Sequence, residues 1–553
     1  MKKILVLLLA LTLLCGCGAQ TQTETQAASQ TEMTQETTEA IAIPTTPDVL
    51  EQMRTFTIPF MPESGLNPYD CSLTLNRGIM SLLFESLFVV NHNFQAEPQL
   101  CESFSVSTDG MTYTFHLQPD VVFWDGTPMT SADVVASIQA ARMSRFYKIR
   151  LQNLLTCTAI DNLTVQMQLM TSYENFALML DIPIVKQSTV ERNVPTGSGP
   201  YSYTLEKLIR NPNWWNPEPP AVDVDEITLF SCKDYYTLRD AFQYGSVDLV
   251  CCDPNSRATS GYRCDFEIWE VPTTIMEYIG FNYESGYFAN EILRRAVTYA
   301  VDRDAIVSEC YNGFANPSAL PCSPNSDLYD GSLAKEYEFN VSQFAKAVSD
   351  SGVKTNPEYR EHTGILLVCN DEPGREEAAE IIAKAMTDAG LNIQVRACDS
   401  PSFNMYIGTG EYDFYLSETR MTANFDLSQF FLEYGSVQIG SSKNEKLASL
   451  CGSAFANSGN YYDLCRQVMQ YGGICPVAFK NYAVYVKRGR LPALEPAVDC
   501  VFHLENTGRT LADADKTFEV REAEKAAAES EAAAQQAAQE EEWSEDWDED
   551  WDD

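Results

Sequence analysis

The residue types that do chemistry are present, but not in catalytic order. The four histidines, His92, His116, His362 and His503, are too far apart for any spacing that sets two rings on one metal. H-E-x-x-H, G-x-x-x-x-G-K-[ST] and G-x-S-x-G are all absent. Gly408-Thr409-Gly410 runs into Glu411-Tyr412-Asp413 and lacks the third glycine of a dinucleotide loop. Asp371 and Glu372 precede a predicted helix start, where they would repel phosphate. Acids are plentiful, yet a general acid–base pair needs geometry that abundance does not supply. The seventeen cysteines include no C-x-x-C pair, and their scatter suits small buried apolar residues such as Cys369 and Cys465 better than a disulfide scaffold. Catalysis is therefore unsupported by these patterns, and the expectation is that the chain is not an enzyme, with no metal and no cofactor.

The chain ends point to a location. Lys2 and Lys3 precede an apolar run over residues 4–14, broken only by Thr12. A bilayer span needs about 20 residues, so this run has the length of a secretory signal. Leu14-Cys15-Gly16-Cys17 follows and resembles a bacterial lipobox, which would place the acyl chains on Cys17. Residues 1–17 are read as a lipoprotein signal peptide. Residues 18–49, rich in Thr, Gln, Glu, Ala and Ser, are read as a disordered tether. Residues 519–553 carry fifteen acids against two bases and form an acidic tail, with Trp543, Trp547 and Trp551 spaced among the acids. A net charge of -40 excludes nucleic acid as a partner and favours a monomer.

Between the ends, local patterns give α/β elements. Tyr113, Phe115 and Leu117 alternate with Thr114 and His116 after Asp109-Gly110, as in a half-buried strand. Residues 121–124 read as a second strand ending at Asp125-Gly126. Thr130 and Asp133 form a capping box before a helix carrying Val134, Val135, Ile138 and Ala141. Residues 365–369 are a continuous apolar run, followed by a helix over 375–389, a stop at Gly390 and a strand from Ile393. That is a β-α-β unit with parallel strands. Residues 238–242 read as helix, Gly245 as its stop and 247–250 as strand.

Several stretches in fixed order resemble the peptide- and nickel-binding solute receptors of ABC importers, family 5. They are Leu66-Asn67-Pro68, Leu83-Phe84-Glu85-Ser86-Leu87, Ser107-Thr108-Asp109-Gly110, Phe123-Trp124-Asp125-Gly126, Gly197-Ser198-Gly199-Pro200-Tyr201, Asn211-Pro212-Asn213-Trp214-Trp215, and Arg294 through Arg303. Ile292, Ala296, Val297, Ala300 and Val301 are read as the sheet-packing face of the last of these. The resemblance implies an α/β, periplasmic-binding-protein-like fold of the cluster C type, with two lobes, a hinge and an extra domain. Lobe one would comprise 50–88, 196–285 and 496–518, the extra domain 89–195, and lobe two 286–495. It implies capture of an oligopeptide, or of a carboxylate-bearing compound such as a metallophore, for delivery to ABC permease subunits. A surface lipoprotein that senses a ligand or docks a partner without import is the alternative.

Comparison with the family also supplies the site residues. Ala423 stands where peptide-binding members place an aspartate, and Arg420 lies just upstream. Arg420, helped by Arg145 or Arg77, is expected to fork onto a ligand carboxylate. Tyr147 and Phe425 would supply aromatic walls, with Asn424 beside them.

Overall fold

Two long strands, Phe266–Phe281 and Cys475–Lys487, run antiparallel through the middle of the protein and carry much of its architecture. In the computed structural model, residues 55–217, 220–255, 261–432, 435, 437, 444–491 and 494–503 are described. The signal peptide, tether and acidic tail expected from the sequence lie outside these residues. No helix among the described residues is long and apolar enough to cross a membrane.

At one end, residues 266–271 pair with 482–487, and Leu249–Cys252 adds on the far side of Cys475–Lys487. At the other end, residues 275–281 pair with Phe414–Arg420, which leads to Gly364–Cys369 and then Ile393–Cys398, both added in parallel. Between the two ends the pairing register shifts from Pro272 to Met276. There the Thr273 hydroxyl donates to the Lys480 carbonyl (2.7 Å) and accepts from the Ile275 N–H (3.0 Å), replacing lost ladder bonds.

The β-α-β unit forms as its pattern predicts. Leu366, Leu367 and Val368 are fully buried, because helices and side chains cover both faces of their strand. The helix Pro373–Asp388 lays Ala378, Ile382 and Met386 on that sheet. Each large side chain so buried contributes about 1.5–3 kcal/mol. Gly390 takes φ of 101° just past the helix, a left-handed conformation that glycine adopts freely.

A smaller sheet, in the order Thr55–Phe60, Glu226–Ser231, Lys207–Arg210 and Tyr201–Thr204, packs nearby, and a further four-stranded antiparallel sheet spans residues 101–169. The capping box of Thr130 and Asp133 opens the helix Ser131–Met143. Residues 121–124 do not form the expected strand. The Asp125-Gly126 turn folds them into a small loop closed by one bridge, Val122 to Pro128, and Phe123 exchanges two backbone hydrogen bonds with the turn. Ile292 also departs from expectation. It is 45% exposed, because the buried stripe runs through Leu293, Ala296, Val297 and Ala300, at i, i+3, i+4 and i+7, and leaves Ile292 at its edge. All fifteen cysteines among the described residues are free thiols, most of them buried.

Candidate functional site

A cavity of about 320 Å3 lies where these sheets meet. Arg77 enters it from the helix Thr74–Met80, and Phe146, Tyr147 and Arg150 from the turn after the helix Ser131–Met143. The opposite wall is Arg420, last residue of Phe414–Arg420, with Tyr482 from Cys475–Lys487. Residues 498–503 close one side. The charged lining comes from segments far apart in sequence, and the long strands bring them together.

Two of the three arginines are already neutralised. Arg150 pairs with Asp181, and Arg420 pairs with Asp499. Burial works against the Asp499 carboxylate, but the Arg420 guanidinium and the Thr274 hydroxyl hold it below the ordinary aspartate value. Asp499 holds this place with φ of 57°, a strained conformation for a residue with a side chain, and its N–H donates to the Pro272 carbonyl at 2.9 Å. Arg77 differs. It donates to the Tyr147 hydroxyl (2.9 Å) and to the carbonyls of Pro68 and Cys71 (both 3.3 Å), and its guanidinium lies 4.7 Å from the Phe146 ring centre. Its ion-pair capacity among the described residues is unspent, so the cavity favours a negatively charged group beside Arg77.

One wall holds a fully buried carboxylate. Glu85 accepts from the Ser198 hydroxyl (2.8 Å) and from the indole N–H groups of Trp214 (3.1 Å) and Trp215 (3.0 and 3.1 Å). The chain approaches closely here, since a Cβ on Gly197 would stand 2.1 Å from the Leu83 carbonyl oxygen. Three of the separated sequence stretches thus converge on one group and brace the cavity wall. Burial pushes the Glu85 carboxyl from its ordinary 4.5 up to about 7, against the pull of those hydrogen bonds. The unfolded chain releases this proton near pH 4.5 and the folded chain keeps it to about pH 7. Stability is therefore lost as pH rises through that window, by about 3 kcal/mol. Glu85→Gln should remove the loss. In urea titrations at pH 5 and pH 8, the variant should gain about 3 kcal/mol on the parent between the two conditions. A gap that does not change with pH would refute the assignment.

The sequence model described as bacterial extracellular solute-binding proteins, family 5 Middle, matches residues 95–441, more than half of the chain. The chain belongs to this family. It is 25% identical over 356 residues to the glutathione-binding protein GsiB of Escherichia coli (strain K12), an alignment covering 61% of this chain and 67% of GsiB. In fold it is similar to the ABC transporter substrate-binding protein CtaP of Listeria monocytogenes. That match has a TM-score of 0.65 and 20% identity, and covers 78% of this chain and 94% of CtaP. It is also similar to NikZ of Campylobacter jejuni, solved with Ni(L-His), with a TM-score of 0.61, 18% identity, and coverage of 81% and 96%. The architecture is the two-lobe binding-protein fold of cluster C.

Within this family 5 fold, three of the six residues taken from the sequence meet at the cavity: Arg77, Tyr147 and Arg420. The other three stand elsewhere. Arg145 is exposed, its guanidinium 5.3 Å from the Phe146 ring centre. Asn424 is buried and donates to the Tyr173 hydroxyl. Phe425 has no exposed surface, with its ring 4.8 Å from Phe94 and 5.4 Å from Phe479. Cys17 lies outside the described residues. The sequence reading missed Arg150, Asp181 and Asp499, which carry no motif and no periodicity.

It also missed a buried charge cluster that adjoins Arg420. Lys480, with a side chain 0% exposed, directs its ammonium at Asp253 (2.8 Å), Glu372 (2.6 Å) and Glu418 (3.0 Å). Arg375 binds Glu277 (3.1 Å), Glu372 (3.0 Å) and Glu418 (2.6 Å). Burial disfavours the Lys480 charge, but the three carboxylates raise its basicity well above that of an ordinary lysine. Glu418 also lines a second hollow of about 340 Å3, which shares Arg420 with the first. Glu418 and Asp426 stand in that second wall, which makes it the poorer place for an anion.

Proposed function

We propose that this family 5 protein is the receptor of an ABC importer and captures a small, carboxylate-bearing ligand in the 320 Å3 cavity between its lobes. The observation that carries this is Arg77, an arginine whose donors meet only uncharged oxygens in a cavity where both other arginines are paired. A ligand carboxylate would take the free charge of Arg77 and the Tyr147 hydroxyl, while Phe146, Tyr482 and Trp214 provide aromatic walls. The volume is at the low end of ligand cavities, about 300–1,000 Å3, which suits a peptide of a few residues or a compact metal chelate. GsiB binds glutathione by its name and NikZ was solved with Ni(L-His), and both ligands are small and contain a carboxylate.

The same reading includes lobe boundaries at 50–88, 196–285 and 496–518 for lobe one, 89–195 for the extra domain, and 286–495 for lobe two. It includes a monomer held to the outer face of the membrane through acylated Cys17, with no turnover of the ligand. Arg145, Asn424 and Phe425 then act around the cavity and not in its wall. The test is a thermal-shift screen with glutathione, di- and tripeptides and Ni(L-His), paired with native mass spectrometry of the protein as purified. Stabilisation should rise with the logarithm of ligand excess, by about 2.7 kcal/mol at 100 times the dissociation constant. If neutral sugars or polyamines shift the transition and no carboxylate does, the reading fails.

A further inference from the structure

The parallel strands Gly364–Cys369 and Ile393–Cys398 end together. The last register pair of their ladder is Cys369 with Cys398, and the Asn370 N–H continues it by donating to the Cys398 carbonyl at 2.9 Å. Register partners point to the same face of a sheet. Both thiols pack on the face of Leu367, while Leu366 and Val368 pack on the other. Neighbouring strands lie about 4.8 Å apart, inside the Cα separation of about 4.4–6.8 Å that a disulfide spans.

Both thiols are also within reach of solvent. Cys465 is buried as the sequence suggests, but Cys369 and Cys398 keep exposed surface. The Cys369 thiol donates to the Asp371 carboxylate (3.2 Å) and lies 3.3 Å from the Ser400 hydroxyl, and the Cys398 thiol makes a long contact with the Val368 carbonyl (3.8 Å). Other close cysteines fail one condition. Cys251 and Cys252 are adjacent on one strand and pack into different clusters. Cys322 and Cys465 hydrogen-bond to each other but are 0% and 1% exposed. Burial, then Cys369 and Asp399, push the Cys398 thiol above its ordinary value. A depressed thiol pKa stabilises a reduced pair, so the opposite shift favours the disulfide once it has formed.

We propose that Cys369 and Cys398 are an oxidation site that reacts with small-molecule disulfides and closes into a cross-strand disulfide. One protein thiolate attacks a sulfur of the incoming disulfide and expels a small thiolate, leaving a mixed disulfide. The second protein thiolate attacks the protein sulfur of that intermediate and expels the other half. Two protein thiols are thereby oxidised, the small disulfide is reduced to two thiols, and the two protein protons pass to the departing thiolates. Ile393–Cys398 is the outermost strand of its sheet, so the bond ties an edge strand to its neighbour. Cys369 also leads into the loop that delivers Glu372 to Lys480 and Arg375, and the bond fixes the root of that loop. The inference does not depend on which ligand the cavity takes.

Hydroxyethyl disulfide is the probe, since it has no carboxylate to occupy the cavity. The full-length protein is reduced, freed of reductant and exposed to the probe. Remaining thiols are then alkylated in denaturant and the chain is digested with trypsin. Cys369 falls on the peptide 361–375 and Cys398 on 397–420, each with one cysteine. These peptides should appear joined, two hydrogens lighter than their sum, in the monomer and at a yield independent of protein concentration. Their yield should exceed that of a joined Cys322–Cys465 pair at least tenfold. At least one of the variants Cys369→Ser and Cys398→Ser should hold the probe on its remaining cysteine, the intermediate trapped. Four results would overturn the proposal: no reaction at either thiol, probe on both without joining, joining only between molecules, or Cys322 and Cys465 joining as readily.

Discussion

Arg77→Ala should weaken capture of a carboxylate ligand at least 100-fold, the equivalent of about 3 kcal/mol, with little change in the fold. The guanidinium is the cavity arginine with no carboxylate partner among the described residues, so a bound anion gains a charge-assisted pair that nothing else in the wall provides. Removing one partner of such a desolvated pair costs roughly 2–5 kcal/mol. The protein itself loses one hydrogen bond to Tyr147 and two weak ones to carbonyls, about 1–2 kcal/mol of stability. Arg77→Lys should fall between, since an ammonium keeps the charge and loses the planar fork. Isothermal titration with the ligand found by the thermal screen gives the measurement. An Arg77→Ala affinity within threefold of the parent would remove this residue from recognition.

Lys480→Met should destabilise the protein by about 3–5 kcal/mol. Each of its three N–H donors meets a carboxylate, and the methionine would leave Asp253, Glu372 and Glu418 facing one another without the central charge. Arg375 still serves Glu372 and Glu418. Adding Glu418→Gln should recover part of the loss, because one fewer like charge then stands in the same volume. Urea denaturation of the parent, the single variant and the double variant separates these contributions. A single-variant loss below about 1 kcal/mol would mean that water, and not Lys480, satisfies the carboxylates.

What the sequence revealed was local. The unit from Gly364 to Cys398 was legible because its strand is buried on both faces and its helix shows an apolar stripe, both properties of adjacent residues. Residues 121–124 misled because apolar side chains before a turn can be buried in a loop as well as in a ladder. Arg77, Tyr147 and Arg420 came from likeness to a family, and the cavity brings those three together. Their partners could not be read. Asp499 lies 79 residues from Arg420, and Asp253 lies 227 from Lys480, so only the completed sheet makes them neighbours. Phe425, aromatic and a few residues past Arg420, suits a cavity wall on sequence alone. Its backbone instead adopts φ of 56° and turns the ring inward onto Phe94, itself at 60°, which no side-chain pattern announces.

The continuity of Phe266–Phe281 and Cys475–Lys487 across the register shift governs how the molecule can move. Two strands bonded edge to edge resist shear and stretching far more than they resist bending. With no slack between its halves, the protein should flex as a leaf spring does, about one line near Pro272 and Lys480. Its opening would then be a single angular coordinate, with departures from that path penalised by broken ladder bonds. Gripping and releasing cargo would require no other degree of freedom.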